Sequence, residues 1–443
     1  LPAGGAAKEF EAVASGTVPN SKAVILKTNG QVEAVGEATT SPTMPLGTQT
    51  QFANRNTQSN VIVADPHNSN RWIIAWADDD SSQDVLLRVI TLSGTTWTLS
   101  SEIPMSLSGN TGRYPAIAWD EGVANKVLIT YNNSSNDGAA KVGTISGSAG
   151  SESISFGSEH VFTTQTTYSS SRSPNQLLCL DTSGNYLLTF IGATGYDTTI
   201  YGIVLQVSST TVTSGSETTL TSAAEQGMSS IAFVPEDRNK IIFGYMKNTT
   251  AYAAIRQLTI SGTTITVGGE NSGSTWINSE GLSLLVLSAT KVVMVCVKDS
   301  GRYPSYQILT NSSGTFSFGT FTTITSSSSI YVMASNNPSG DPSTFVLSYT
   351  NNSGTRYSRA KVGTINAAVS SVSFSSETQL STTVFGNHAF VSQQSDASGT
   401  FAYVFEPSTN NQGFLLLGQT GGTSTNVTST NFVGIAAEAI TSG

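Results

Sequence analysis

Seven short stretches decide the fold: WIIAW at 72–76, VLITY at 127–131, YLLTF at 186–190, IIFGY at 241–245, VVMVC at 292–296, FVLSY at 345–349 and FAYVF at 401–405. Each is an apolar run with an aromatic residue or Cys at its fifth position, and successive starts lie 55, 59, 55, 51, 53 and 56 residues apart. A period of this length marks a repeated supersecondary unit. Before each run lies a polar turn such as DPHNSN (65–70), DEGVANK (120–126), DTSGN (181–185) or PEDRNK (235–240). Before the turn lies another β-like run, as in NVIVAD (60–65), YPAIAWD (114–120) or SSIAFVP (229–235). Two such runs about a turn read as a hairpin. A third run follows (AAKVGTISG, 139–147; AAIRQLTISG, 253–262), then a Ser/Gly/Thr turn and a fourth run (SISFGSEHVF, 153–162; TITVGGE, 264–270). The unit is therefore four antiparallel strands.

Direct echoes support the period. The pentapeptide KVGTI occurs at Lys141–Ile145 and again at Lys361–Ile365, an offset of 220 residues, or four units of 55. A Ser-Glu pair recurs near the fourth strand, at Ser101-Glu102, Ser158-Glu159, Ser216-Glu217 and Ser376-Glu377.

A small four-stranded sheet that is apolar on both faces cannot bury itself alone, and radial repetition covers both faces while protecting the edges. The expected architecture is all-β: a seven-bladed β-propeller of four-stranded antiparallel blades, with a β-solenoid or two sandwiches as the structural rivals. The last unit offers NHAFVSQQ, FAYVF and FLLLGQ but no evident fourth strand before GGTSTNVTST (421–430). The N-terminal segment KAVILKTNGQVEAV (22–35), two β runs about Asn29-Gly30, is the expected donor that closes the ring by pairing first with last. The expected organisation is an N-terminal β segment over 1–50, a propeller over 51–420 and a C-terminal β tail over 421–443. The chain starts at Leu1 without a charged-then-apolar leader, so a processed or partial N-terminus is expected.

Composition narrows the function. Of 443 residues only 11% are charged, the net charge is −9, and by count about 28% are Ser or Thr. Ten Arg and ten Lys are scattered singly, so no basic stripe is present for nucleic acid. No apolar run reaches the length of a membrane-spanning helix. Cys179 and Cys296 sit inside apolar runs and read as buried small hydrophobes, while His67, His160 and His388 are isolated. No Gly-rich nucleotide loop, no G-x-S-x-G elbow and no nucleophile–base set is present. The expected cofactor set is none and the expected class is non-enzymatic.

Two weaker chemical signals stand beside bland alternatives. Asp78, Asp79, Asp80 and Asp84 cluster as oxygen donors for a hard cation would, although a solvated acidic loop is the commoner reading. TLSGTTWTL (91–99) and NSGSTWIN (271–278) resemble the tail of the Asp-box turn of sialidase propellers but lack its Asp. A sialidase-like site needs three convergent Arg around a Tyr nucleophile. Arg113, Arg172, Arg302 and Arg356 are available, yet no spacing makes them converge.

An asymmetry between the two propeller faces is more informative. The loops joining second to third strands share a face with the links between blades. That face is expected to hold Arg113, Tyr114, Tyr168, Arg172, Tyr196, Arg302, Tyr303 and Arg356. Tyr and Arg give large contact area with hydrogen bonds at modest entropic cost, which suits a recognition surface. They also serve simply to cover apolar strand ends.

At the two ends, EFEAVASGTVPNSKAVILKTNGQVEAVGE (9–37) and STNVTSTNFVGIAAEAITSG (424–443) resemble segments of tail-fibre and other virion appendage proteins of marine tailed bacteriophages. The resemblance covers about 50 residues outside the repeats and carries over no catalytic residue. It implies a structural virion protein, a tail fibre, appendage or capsid decoration displayed extracellularly. Its implied partners are other virion proteins and host-surface glycan, as a homo-oligomer. The alternatives are a secreted glycan-binding lectin or adhesin, or a sialidase-like glycoside hydrolase propeller.

Overall fold

The computed structural model describes residues 23–26, 31–34, 37–40, 42–78, 84–105, 112–168, 176–192, 199–222, 224–298, 301–336, 343–352, 356–381, 385–393, 399–407, 412–420, 422–425 and 432–435. Among them are strands and turns and no helix. Two compact units emerge, one from 42–420 and one from 1–41 together with 421–443.

Within 42–420 the chain folds as the hydrophobic pattern demands. In the second repeat, Arg113–Trp119, Lys126–Asn132 and Asp137–Ser146 pair in sequence order as an antiparallel sheet. The fourth run is not one strand but two pieces. Ser153–Phe156 pairs with one half of the third strand, and the start of His160–Tyr168 pairs with the other half. The same division recurs as Thr96–Leu99 with Ile103–Pro104, Thr211–Ser214 with Thr218–Thr221, and Val372–Phe374 with Thr378–Gln379. A Gly or Ser-rich break lies between the pieces, so the outer edge turns once and stays short. In two places the edge strand continues into the next repeat: His160–Tyr168 pairs with Asp137–Ser146 and then with Asn185–Gly192, and Asn271–Ser288 pairs with Tyr252–Ser261 and then with Lys291–Lys298.

The seven diagnostic runs are the second strands, and they are buried on both faces. In Arg71–Asp78, Ile73 and Ala75 enter one apolar cluster with Ile117, Val127 and Tyr131 of the following repeat. Trp72, Ile74 and Trp76 face the other way, into a cluster with Phe52, Val404 and Leu415. In Lys291–Lys298, Val292, Met294 and Cys296 belong to one cluster, and Val293 and Val295 to the next. Every layer of core thus lies between two successive sheets. Both cysteines are buried free thiols, as their apolar settings indicated. Burial pushes the Cys179 thiol up to about 11.

The first strand of most repeats is irregular. Its register slips between Gln58 and Val61, Arg113 and Ala116, Asn278 and Leu282, and Ile330 and Met333. Ser59, Tyr114 and Tyr331 take the left-handed conformation at these bulges, with φ of 52°, 55° and 53°. At Gly281 (φ 144°) a Cβ atom would stand 2.2 Å from the carbonyl oxygen of Val332, so only glycine fits. Polar side chains just past the bulges tie one repeat to the next. Gln176 donates to the Ser229 carbonyl (2.8 Å) and accepts from Ile231 N–H (2.7 Å). The hydroxyls of Ser230 and Ser283, at the equivalent position, accept from Leu284 N–H (3.1 Å) and Ala334 N–H (3.0 Å).

The partner of the last repeat differs from expectation. Phe385–Gln393, Thr400–Pro407 and Gly413–Gln419 pair in order, and the fourth strand is Thr43–Ala53. The hairpin of Ala23–Leu26 and Val32–Ala34 does form, but its free edge pairs with Phe432–Ile435 in the other unit, where Glu37–Thr40 also pairs with Gly422–Thr425. Thr43–Ala53 is rich in Thr and Gln and carries little apolar signal, because an outermost strand buries only part of one face. Its Phe52 nevertheless packs edge-to-face on Trp76 of the first repeat at 5.2 Å.

Removing residues 1–41 is expected to leave the cooperative melting of the main unit within a few degrees of the parent. Removing 1–53 strips the partner from Gly413–Gln419 and should produce aggregation; calorimetry and light scattering on the two truncations check this. Phe345→Ala, at a site that is 0% exposed, is expected to cost about 3–5 kcal/mol by urea unfolding.

Candidate functional site

Strand order places the ends of second strands and the starts of third strands at one margin of each sheet, and the break in the outer edge lies opposite the middle of the third strand, where Gly157 N–H donates to the Val142 carbonyl (2.9 Å), with its Glu reaching toward that margin. The charged groups that the fold gathers there are built from the recurrent Glu of the outer-edge break. In repeat 2 the Tyr131 hydroxyl donates to Glu159 (2.6 Å) and Asn133 adds a second donor at 3.3 Å. In repeat 6 the Tyr349 hydroxyl donates to Glu377, which Arg359 also contacts at 3.4 Å. Repeat 4 carries the fullest set. Glu270 accepts from the Tyr245 hydroxyl, from Lys247 (2.7 Å), from Ser272 (3.1 Å) and from Arg256 (3.4 Å). Repeat 1 replaces the Tyr with cations: Arg55 bridges Asp78 (2.8 Å) and Glu102 (3.0 Å), and Arg88 meets Glu102 at 3.4 Å. In repeat 3 Gln165 donates to Glu217 at 2.8 Å.

The aromatic residue that ends every diagnostic run but VVMVC therefore serves the core and, in part, the rim. Its ring is core, and where it is Tyr its hydroxyl reaches the carboxylate at the rim. Burial raises the Tyr131 and Tyr349 hydroxyls far above their ordinary value, and hydrogen bonding to Glu159 and Glu377 adds to the rise. Partial burial opposes ionisation of Glu270, but hydrogen bonds from Lys247, Tyr245 and Ser272 outweigh it and hold its carboxyl at about 2. These groups are preorganised, charged and partly exposed: Lys247, Arg256 and Glu270 keep 22%, 23% and 24% of their side-chain surface.

The residues singled out from sequence fall as follows. Arg113 and Tyr114 enter the first strand of repeat 2, Arg302 and Tyr303 form the turn into Tyr303–Ser312, and Arg356 is exposed before Ser358–Ile365. Arg113 lies opposite Asn132 and Tyr303 opposite Lys298, and the described residues of the set fall in repeats 2, 5 and 6. Tyr303 folds its ring over Gly301, where an added Cβ would meet it at 2.3 Å. Arg172, Tyr196, Asp79 and Asp80 lie outside the described residues, as does the side chain of Tyr168. Asp78 is buried and paired with Arg55, and its N–H donates to the Asp84 carbonyl at 2.9 Å. Among the described residues no group of three His, Cys, Asp or Glu side chains could hold a metal ion. The Ser-Glu echo marks these carboxylates in the sequence without assigning them a role. Its 28-residue spacing from Tyr131 to Glu159, and again from Tyr349 to Glu377, was the available signal.

No family model matches the chain, and no curated protein matches it. Solved structures do. BP39L lectin from Burkholderia pseudomallei superimposes with a TM-score of 0.55 at 8% identity, covering 86% of this chain and all (100%) of that one. Aleuria aurantia lectin, solved with Fucα1-6GlcNAc, gives 0.43 at 15% identity over 75% of this chain and 99% of its own. The WD40 domain of SCAP from fission yeast gives 0.43 at 8% identity over 87% and 98%. The fold of this chain is a β-propeller of antiparallel sheets.

Glu270→Gln is expected to lower stability by about 1 kcal/mol, since a neutral amide forfeits charge-assisted bonds at a partly exposed site. The sign of its pH dependence follows from a folded value (about 2) below the ordinary 4.5. The ionised carboxylate's contribution is complete above pH 4.5, and it drains away as pH falls toward 2. Urea midpoints of parent and variant should therefore converge on acidification through that window.

Proposed function

We propose that residues 42–420 form a seven-bladed, non-enzymatic, carbohydrate-binding propeller whose contact face carries the Tyr–Glu clusters. The observation that carries this reading is the recurrence of one polar device, Tyr131–Glu159, Tyr245–Glu270 and Tyr349–Glu377, at equivalent rim positions. A sugar hydroxyl both donates and accepts, so a carboxylate held beside fixed donors offers it complementary partners without reorganisation. Repetition around a ring adds avidity from weak individual sites. The fold shared with a lectin, BP39L, supports the reading.

Seven blades and closure rest on two observations. Successive first strands contact one another through all repeats, and Phe385–Gln393 contacts Thr57–Ala64 of the first. Seven apolar clusters alternate with the sheets, one of them joining Ala402, Val404 and Leu415 to Trp72, Ile74 and Trp76. In this reading Thr43–Ala53 is the closing strand.

A second reading concerns where the propeller is displayed, namely on a virion appendage. The observation favouring it is that the two terminal stretches resembling appendage segments pair with each other, Ala23–Leu26 with Phe432–Ile435, in a unit of their own.

Purified protein on a glycan array is expected to retain at least one glycan class, with loss of signal in the triple variant Glu159→Gln, Glu270→Gln, Glu377→Gln. A folded parent that retains no glycan sinks the carbohydrate reading. Electron cryomicroscopy of particles tests display: density for the propeller on a tail or capsid supports it, and particles lacking this chain remove it.

A further inference from the structure

Five tryptophans are present, and four are core: Trp72 and Trp76 at 0%, Trp119 at 4% and Trp97 at 8% exposure. Trp276 keeps 42% of its surface. The contrast is sharper because Trp97 and Trp276 come from the two related motifs TLSGTTWTL and NSGSTWIN. Trp97 lies on an outer strand, paired with Leu92 and packed edge-to-face on Trp72 at 5.3 Å. Trp276 lies instead on the segment of Asn271–Ser288 that leaves the outer edge of repeat 4 for the next repeat. Two features set it apart from the single exposed hydrophobics that any surface carries.

The first is its partner. Trp276 pairs directly with Tyr252, itself half-buried, and directly paired residues on antiparallel strands project to the same face. Repeat 2 places Thr166 opposite Asp137 in the corresponding pairing, so the aromatic pair of repeat 4 is absent there. The second is its company. Met246 pairs with Ala253, so Lys247 stands beside Tyr252 on the adjoining strand. Tyr252 shares its face with Ala254, two residues on, which pairs with both Tyr245 and Ser272. That is the face on which Glu270 is held by Lys247, Ser272 and Arg256. The exposed indole and the Tyr252 ring thus lie on the face of the sheet that also holds a carboxylate, two cations and a hydroxyl.

We propose that Trp276 and Tyr252 form a stacking platform for a neutral pyranose, a sugar that lays its apolar C–H face on the rings. Its hydroxyls then meet Lys247 as donor and Glu270 as acceptor. The aromatic rings supply contact area at low entropic cost, and the charged groups supply orientation. This inference rests on the carbohydrate reading above and names one site for it, confined to repeat 4. Repeat 2, with Asp137 and Thr166 at the corresponding pairing, contributes polar contacts without a plate.

The test uses the full chain with methyl β-D-galactopyranoside and methyl α-D-mannopyranoside as probes, alongside the glycan array. Because the other four indoles are buried, acrylamide quenching of tryptophan fluorescence reports chiefly on Trp276. At least one of the two pyranosides should protect the fluorescence from quenching. Trp276→Ala should weaken array binding about tenfold or more at unchanged melting temperature. Trp276→Phe, which keeps a smaller plate, should recover part of it, and Tyr252→Ala should fall between. Array binding by the parent that survives Trp276→Ala undiminished overturns the platform and leaves the carbohydrate reading standing. A parent that binds no glycan on the array overturns both.

Discussion

Everything in residues 42–420 depends on second strands that are apolar on both faces and can be covered only by sheets on either side. Ile73 and Ala75 of one run face the sheet that follows, while Trp72, Ile74 and Trp76 face the one that precedes. No four-stranded repeat could be stable alone with Val292 to Val297 all within 1% of complete burial. Association of neighbouring repeats is therefore part of folding and not a later step. Because each Trp or Phe buries roughly 150–250 Å², the largest share of the stabilisation lies between repeats.

Given that stacking, polar groups must be dealt with at the two margins of each sheet. At the inner margin the first strands bulge, and Gln176, Ser230 and Ser283 satisfy backbone N–H groups of the adjoining repeat. A buried amide left without a partner would cost a sizeable fraction of a domain's net stability. At the outer margin the edge breaks in two, and the Glu at the break collects a Tyr hydroxyl, a Lys or an Arg. The same device that finishes the edge also presents an ordered set of donors and acceptors at one rim. The residues that finish the edge are also the ones that leave this margin charged.

Much of the architecture was legible because period and burial are local signals: seven apolar runs, the turns before them and the KVGTI echo each report on strands near in sequence. The rim carboxylates were half-legible. Ser158-Glu159 and Ser376-Glu377 announced themselves by repetition, but Glu270 follows Gly269 and escaped the pattern. The pairing of Tyr131 with Glu159 joins a second strand to an outer edge and needs the register of three strands to be seen. The Arg residues chosen by composition lie apart: Arg113, Arg302 and Arg356 enter by different repeats. Topology assigns a face; it does not bring side chains on separate sheets together.

The sequence by itself determined that the chain is all-β, that its unit is a small antiparallel sheet, and that both cysteines are core, because hydrophobic periodicity and burial need no long-range information. Only the tertiary structure decided which N-terminal stretch pairs with the last repeat. Ala23–Leu26 is the more apolar segment and was the natural candidate, but it found Phe432–Ile435, while the Thr- and Gln-rich Thr43–Ala53 took the open edge of Gly413–Gln419. An outer edge selects its partner by backbone hydrogen bonds and a few well-placed side chains such as Phe52, and neither shows in a hydrophobic pattern. The exposure of Trp276 was decided the same way: two similar motifs met different neighbours, and the packing of those neighbours left one indole buried and the other open to solvent.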